Sequence, residues 1–231
     1  IHSLDDQIQK RQLLLGALTH ELKTPMTAII GYADSLLHMP LNDRQRLECA
    51  HNIYDAGKRT EALSQKLMEL MGLSENQSIF MKELSTSDLV ETLKSITSEQ
   101  VRFTYETSTL YGDETLLLSM LINLINNAIQ ASPDDEIVNV AIRSEKDQYQ
   151  ILVTDRGRGI PKEYTNLVTE PFFRVDKARS RKDGGTGLGL ALCAMIAEKH
   201  GGRLEIESVV GVGTRVCVTL LQLDNKSHTT Q

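Results

Sequence analysis

Residues 16–34 read GALTHELKTPMTAIIGYAD, and the reading of this stretch decides the first half of the fold. Ile8, Leu15, Leu22, Ile29 and Leu36 recur at seven-residue intervals, and Leu18, Met26 and Ala33 fill neighbouring positions. That spacing is the seam of a long helix that packs along another helix. Two features sit oddly in it. Pro25 has no N–H and clashes with the carbonyl four residues earlier, that of Glu21, so a bend is expected around residues 21–25. His20, Glu21 and Thr24 stand side by side just before that proline. With Leu15 and Leu22 at heptad position a, His20 falls at f, which faces solvent.

Downstream, HMPLND (38–43) breaks the pattern. Pro40 cannot continue a helix, and Asn42 or Asp43 can cap the next one. A second helix is expected from about residue 43 to 71. Cys49, Ile53, Ala56, Thr60, Leu63, Leu67 and Leu70 alternate by four and three along it, and Gly72 is the expected stop. Two long helices and a short turn form an antiparallel hairpin, whose apolar stripe is poorly buried alone. Two such hairpins close a four-helix bundle, so a homodimer is expected.

Residues 73–86 read as a linker, with a short strand at 79–82. The pattern then becomes mixed. SDLVETLKSI (87–96) reads as a capped helix, and so do residues 113–132 and 189–200, the last ending at Gly201-Gly202. VRFTY (101–105), IVNVAIR (137–143), YQILVTD (149–155), RLEIES (203–208) and TRVCVTL (214–220) read as strands. Strands with helices enough to cover one face indicate a two-layer α/β sandwich. The tail LDNKSHTTQ is polar and expected to fray.

Composition narrows the function. A formal net charge of −6 and the lack of a long basic block exclude a general nucleic-acid binder. Cys49, Cys193 and Cys217 lie far apart with no metal-ligand spacing and read as small buried hydrophobes. No apolar run approaches the ~18 residues of a membrane span. The chain opens on Ile1 inside a helix-like run, as expected of a fragment of a longer protein, and any membrane anchor is expected before Ile1.

Three features suggest a nucleotide. DGGTGLGLAL (183–192) puts Gly184, Gly185, Gly187 and Gly189 ahead of a helix, where backbone amides and the helix N-terminus can meet an anion. It matches neither the Walker loop nor the dinucleotide fingerprint, and alone it reads equally as a turn. DRGRGIP (155–161) sets Asp155 at a strand end, where its carboxylate can accept from a base's exocyclic amine or merely shape a turn. Asn123 and Asn127, four apart on an apolar helix, share one face. They read either as a buried hydrogen-bond network or as oxygen donors for Mg²⁺ with phosphates.

Taken together, the chain resembles a sensor histidine kinase of two-component signalling. From residue 8 to 221, THELKTP (19–25) is similar to the family's phosphoacceptor box and NLINNA (123–128) to its asparagine box. DRGRGI (155–160), PFFRVDKAR (171–179), GGTGLGL (184–190) and GVGT (211–214) resemble the remaining boxes, in order. The resemblance implies a dimerisation and phosphotransfer hairpin (1–73), a linker (74–86), an ATP-binding domain of the gyrase/Hsp90/histidine-kinase/MutL type (87–222) and a polar tail (223–231). It implies that Asp155 recognises the adenine amine in a pocket lined by Gly157 and Gly159. Asn127 would coordinate Mg²⁺, with Asn123 near the triphosphate and Arg174 reaching the γ-phosphate. Gly185, Thr186, Gly187, Leu188 and Gly189 would end a flexible lid over 162–184. Lys177 would contact phosphate from that lid, where Arg179, Arg181 and Lys182 read better as solvated. Two departures stand out: Gln130 and Ala131 replace a basic residue and a tyrosine common in relatives, and only 24 residues separate Leu89 from Asp113, an interval usually longer in the family.

The expected chemistry is ATP-dependent phosphorylation of His20 and transfer to an aspartate of a response regulator. Imidazole is largely neutral near pH 7 and nucleophilic, and Glu21 can orient it or take its proton. The E-x-x-T pattern implies that Thr24 positions a water for dephosphorylating the regulator. The expected location is the cytoplasmic portion of a membrane-anchored sensor. Competing readings are a non-kinase ATPase of the same fold, which leaves the hairpin unexplained, and a degenerate kinase acting as a phosphatase or docking module, against which the intact boxes argue.

Overall fold

The computed structural model describes residues 2–74, 79–176 and 185–222, apart from the side chains of 2–14 and 74. The chain divides into two compact units, one containing the first helix and the second as far as Glu69, the other the sheet.

Helix α1 spans His2–His38 and is unbroken through Pro25. Leu18, Leu22, Ile29, Ala33 and Leu36 are half-buried, as the seam requires, whereas Leu15 and Met26 are exposed. The side chain of Ile8 lies outside the described residues. Helix α2 spans Asp43–Ser74. Its cap is Asn42: Gln45 N donates to Asn42 Oδ1 at 2.9 Å, and Asn42 N donates to Gln45 Oε1 at 3.0 Å, a reciprocal capping box. Ala56, Leu63 and Leu70 are buried along its seam. The helix runs past Gly72, the expected stop, because Leu73 is buried one residue later. Burying a leucine is worth about 1.5–3 kcal/mol, which outweighs the roughly 1 kcal/mol cost of a helical glycine.

In the second unit, β1 (Lys82–Ser85) leads into α3 (Thr86–Ile96), then β2 (Val101–Tyr105), β3 (Thr109–Gly112) and α4 (Glu114–Ala131). Strands β4 (Val138–Glu145) and β5 (Gln148–Thr154), a 3-10 turn at Lys162–Tyr164, α5 (Gly189–Lys199), β6 (Arg203–Val209) and β7 (Gly213–Leu221) complete it. Five strands form one sheet in the order β2-β4-β5-β7-β6, with only β2 and β4 parallel. Strand β1 lies at 82–85 rather than 79–82 and pairs antiparallel with β3, placing Leu84 opposite Leu110, both buried.

One sheet face is apolar. Val138, Val140, Ile142, Ile151, Val153, Val218 and Leu220 are buried there by the period-two alternation of strands. Helix α4 packs on β4, β5 and β7 and also contacts α3 and α5. It contributes Leu117, Met120, Leu121, Leu124 and Ile125, and α5 contributes Leu192, Cys193 and Ile196. Cys193 is thus a core residue, whereas Cys49 and Cys217 are half-exposed. The result is the expected two-layer α/β sandwich. The interval from Leu89 to Asp113 holds the rest of α3 and two strands of five and four residues.

Candidate functional site

Strand β5 ends one residue before Asp155, which is 7% exposed. Its Oδ1 accepts from Gly157 N at 2.8 Å and from Thr214 N at 3.1 Å, and its own N–H donates to Thr214 O at 2.9 Å. One carboxylate oxygen is therefore fixed by backbone amides, and the described hydrogen bonds place no donor on Oδ2. Burial pushes the carboxyl pKa above its usual value, opposed by those two amides and by Arg158. A buried carboxylate oriented by amides, with an oxygen to spare, can accept from an exocyclic amine and not from a carbonyl.

The chain after Asp155 is drawn tightly against two others. Arg158 N donates to Ala131 O at 3.1 Å, tying the turn to the end of α4. A Cβ on Gly157 would lie 2.3 Å from that same carbonyl oxygen. Gly159 has φ +70° and passes so close to Val209 that a Cβ would lie 2.2 Å from its carbonyl oxygen. Ser208 Oγ accepts from Ile160 N at 2.7 Å and lies 2.8 Å from Thr214 Oγ1. Ser208 and Thr214 thus tie β6 and β7 to the turn that follows Asp155. Thr214 belongs to the GVGT box, but Ser208 carries no signal in the sequence.

On α4, Asn123 is half-buried and Asn127 exposed. Asn123 Nδ2 donates to Ser119 O at 2.9 Å. A Cβ on Gly189, the first residue of α5, would lie 3.2 Å from Asn123 Oδ1 and 3.7 Å from Asn127 Nδ2. The glycine loop and both asparagines therefore meet at one place. Asn123 turns its oxygen and Asn127 its amide nitrogen toward Gly189; the carboxamide oxygens of the pair are hard donors near a helix N-terminus, of the kind that fits Mg²⁺ carrying phosphate.

Leu188 is fully buried and anchors the loop, and Leu192 N donates to Leu188 O at 2.9 Å. Gly187, at φ +72°, leaves room for Phe172, whose N–H donates to Gly187 O at 2.8 Å. Arg174, two residues on, is half-buried, as are Gly185 and Thr186. The first part of the stretch expected to be a flexible lid is folded: it holds the 3-10 turn, buried Val168, and Tyr164 and Phe173 with ring centroids 5.7 Å apart. Lys177, Arg179, Arg181, Lys182 and Gly184 lie outside the described residues.

On α1, the His20 side chain is 77% exposed, with Nδ1 3.9 Å from Glu21 Oε1. That distance suits electrostatic orientation rather than a hydrogen bond. Thr24 is exposed one turn on, its hydroxyl 3.5 Å from His20 O. An accessible imidazole with a carboxylate at one nitrogen can act as a nucleophile through the other.

Two family models match. Residues 10–75 match the His Kinase A (phospho-acceptor) domain, and residues 112–224 match the histidine kinase-, DNA gyrase B-, and HSP90-like ATPase. The sensor-like histidine kinase SenX3 of Mycolicibacterium smegmatis is 34% identical, the match covering 97% of this chain and 63% of that protein. Sensor protein SrrB of Staphylococcus aureus is 29% identical, covering 95% of this chain and 39% of that one. The chain thus spans less than two thirds of either relative. Among solved structures, histidine kinase ThkA in complex with response regulator protein TrrA aligns with TM-score 0.73 at 20% identity, over 98% of this chain and 68% of that one. Acinetobacter baumannii histidine kinase AdeS aligns with TM-score 0.67 at 18% identity, over 89% and 98%. These two likenesses concern the fold.

Proposed function

The chain belongs to the sensor histidine kinases of two-component signalling, and on that premise we propose that it phosphorylates its own His20 from ATP and passes the phosphoryl group to an aspartate of a response regulator. The observation that carries this is the approach of Gly189 to both Asn123 and Asn127, in the same unit as the fixed, buried Asp155 carboxylate. An adenine amine would donate to Asp155 Oδ2, in a pocket bounded by Gly157 and Gly159. The triphosphate would lie at Gly185, Thr186, Gly187, Leu188 and Gly189, with Arg174 and Lys177 as cationic contacts. Asn127, with Asn123 beside it, would hold Mg²⁺, which supplies charge neutralisation to the phosphates when bound.

At His20, the Nε2 lone pair attacks the γ-phosphorus. The bond from that phosphorus to the β,γ-bridging oxygen breaks, ADP leaves, and the Nδ1 proton passes to Glu21 or solvent. Exposure of His20 supports its meeting first the ATP-binding domain and then the regulator. A regulator as partner is suggested by ThkA, which was solved with TrrA. Residues 1–73 would serve dimerisation and phosphotransfer, and 87–222 ATP binding. A homodimer is supported by the apolar side chains left exposed on the two helices, among them Ile30, Leu37, Leu47, Tyr54 and Met68. The reading of this chain as the cytoplasmic portion of a membrane-anchored sensor rests on the sensor relatives. No helix among the described residues is long and apolar enough to cross a membrane.

Titration with Mg-ATP tests the nucleotide site. Asp155→Asn exchanges an acceptor for an amide and should abolish measurable binding while the circular dichroism spectrum stays unchanged. Normal affinity in that variant would remove the adenine assignment. A phosphatase activity through Thr24 is proposed on the E-x-x-T pattern and on its exposure one turn from His20. Thr24→Ala should lose hydrolysis of the phosphorylated regulator and keep autophosphorylation, and unchanged hydrolysis would sink that role.

A further inference from the structure

Helix α5 meets the proposed nucleotide site at its first residue, and α4 meets it from its middle onward. Gly189, which opens α5, meets Asn123 and Asn127. The other end of α5 is eleven residues away, about 16 Å at 1.5 Å per residue. There His200, the residue that caps α5, is 3% exposed and hydrogen-bonded through both ring nitrogens. Asp113 N lies 3.0 Å from His200 Nε2, and an amide can only donate, so Nε2 accepts. The ring proton is therefore on Nδ1, which donates to Ile196 O at 2.7 Å. This is a neutral imidazole with its tautomer fixed by its two partners.

Asp113 is the corresponding cap of α4. Its Oδ1 accepts from Leu116 N at 3.2 Å, and its Oδ2 accepts from Phe80 N at 2.9 Å. Lys82 reaches the next residue, Glu114, by an ion pair. Gly112 packs against the same join, where a Cβ would lie 2.7 Å from Leu117 Cδ1 and 3.1 Å from His200 Cδ2. The caps of two antiparallel helices are thus joined by one directional bond in a tightly packed setting. Elsewhere between the helices the core contacts are apolar, apart from a weak bond from Cys193 Sγ to Met120 O at 3.6 Å. Apolar and thiol contacts tolerate a small slide that a single buried acceptor for a single amide does not.

We infer that His200 is a positioning residue for nucleotide binding: by pinning the end of α5 to the start of α4, it sets the register that brings Gly189 against Asn123 and Asn127. This rests on the assignment of those three residues to the Mg-ATP site. His200 touches no nucleotide, and it acts through the rigid α5. Without the pin, the binding-competent register is one of several, and apparent affinity falls by the fraction of molecules that hold it.

His200→Gln and His200→Met separate this from plain stability. The two side chains are similar in length, but only glutamine offers an oxygen near the position of Nε2 to accept from Asp113 N. Each full-length variant is titrated with Mg-ATP well below its melting temperature. His200→Met should bind about tenfold more weakly, as a competent fraction near one tenth would give, and should raise KM for ATP more than it lowers kcat. His200→Gln should regain most of that loss. Equal affinity for wild type and both variants, whatever their melting temperatures, would overturn the positioning role. A wild-type chain that does not bind Mg-ATP would instead overturn the nucleotide site itself. Linkage supplies a test without variants: if the pin favours Mg-ATP, Mg-ATP must favour the pin by the same factor. Hydrogen exchange of the Asp113 amide should slow by about the same tenfold on adding Mg-ATP, and an unchanged rate would also overturn the role.

Discussion

Gly159 shows how a single residue becomes obligatory. Its φ is +70°, and a Cβ would stand 2.2 Å from Val209 O. Neither condition can be relieved by a rotamer change, because the obstructing atom is backbone. Gly159→Ala should therefore destabilise the second unit by more than about 1 kcal/mol and weaken Mg-ATP binding, read by thermal unfolding and by titration. An unchanged melting temperature would show that β6 yields to the methyl group. At this scale the sequence was informative wherever a side chain sits inside a short motif. DRGRGIP put Asp155 at a strand end with Gly157 and Gly159 behind it, and alone it left a base contact and a plain turn both open. Ser208 could not be read at all, because its role depends on Ile160 and Thr214 reaching it from two other segments. His200 was likewise invisible, since one histidine at a helix end looks the same whether it is solvated or buried against Asp113.

Among the elements, those with a pattern of their own were legible, the five-residue β2 included, and those that depend on a partner strand were not. Helix α4 and strands β4 and β5 carry enough periods for hydropathy to name them. Strand β3 has four residues and one fully buried leucine, too few for a period to emerge, and it exists because β1 pairs with it. Gly72 misled for the opposite reason: its local preference for ending a helix yields to the burial of Leu73. The join between α4 and α5 has a pH signature. Burial holds the His200 pKa below 6.5, against the pull of the Asp113 carboxylate and of the Ile196 carbonyl. The unfolded chain therefore takes up this proton first as pH falls. Stability from His200 is fully present above about 6.5 and is lost as pH drops from there toward the depressed folded value. Asp155, with its pKa raised above 3.8, acts with the opposite sign. Chemical denaturation between pH 7.5 and pH 5 should show stability falling with pH, and His200→Gln should flatten that slope, an expectation that uses the linkage of pKa to stability. Equal slopes in both proteins would mean that His200 is solvated.

At the scale of the molecule, two hydropathy periods mark two units with different work. A seven-residue repeat makes helices that carry an exposed His20. Mixed α and β periods make a sandwich that fixes Asp155 after β5 and sets Gly189 against Asn123 and Asn127. Pro25 stands five residues beyond His20 in a helix that continues through it, so the expected weakness does not end the helix that carries the proposed phosphoacceptor. The central claim is that the second unit supplies a phosphoryl group which the first accepts at His20. The most direct measurement is incubation of the chain with γ-labelled ATP and Mg²⁺, followed by acid or base treatment of the protein. Label that is acid-labile and base-stable, present in the wild type and absent from both His20→Ala and Asp155→Asn, is the predicted result. Label that persists in His20→Ala would contradict the account.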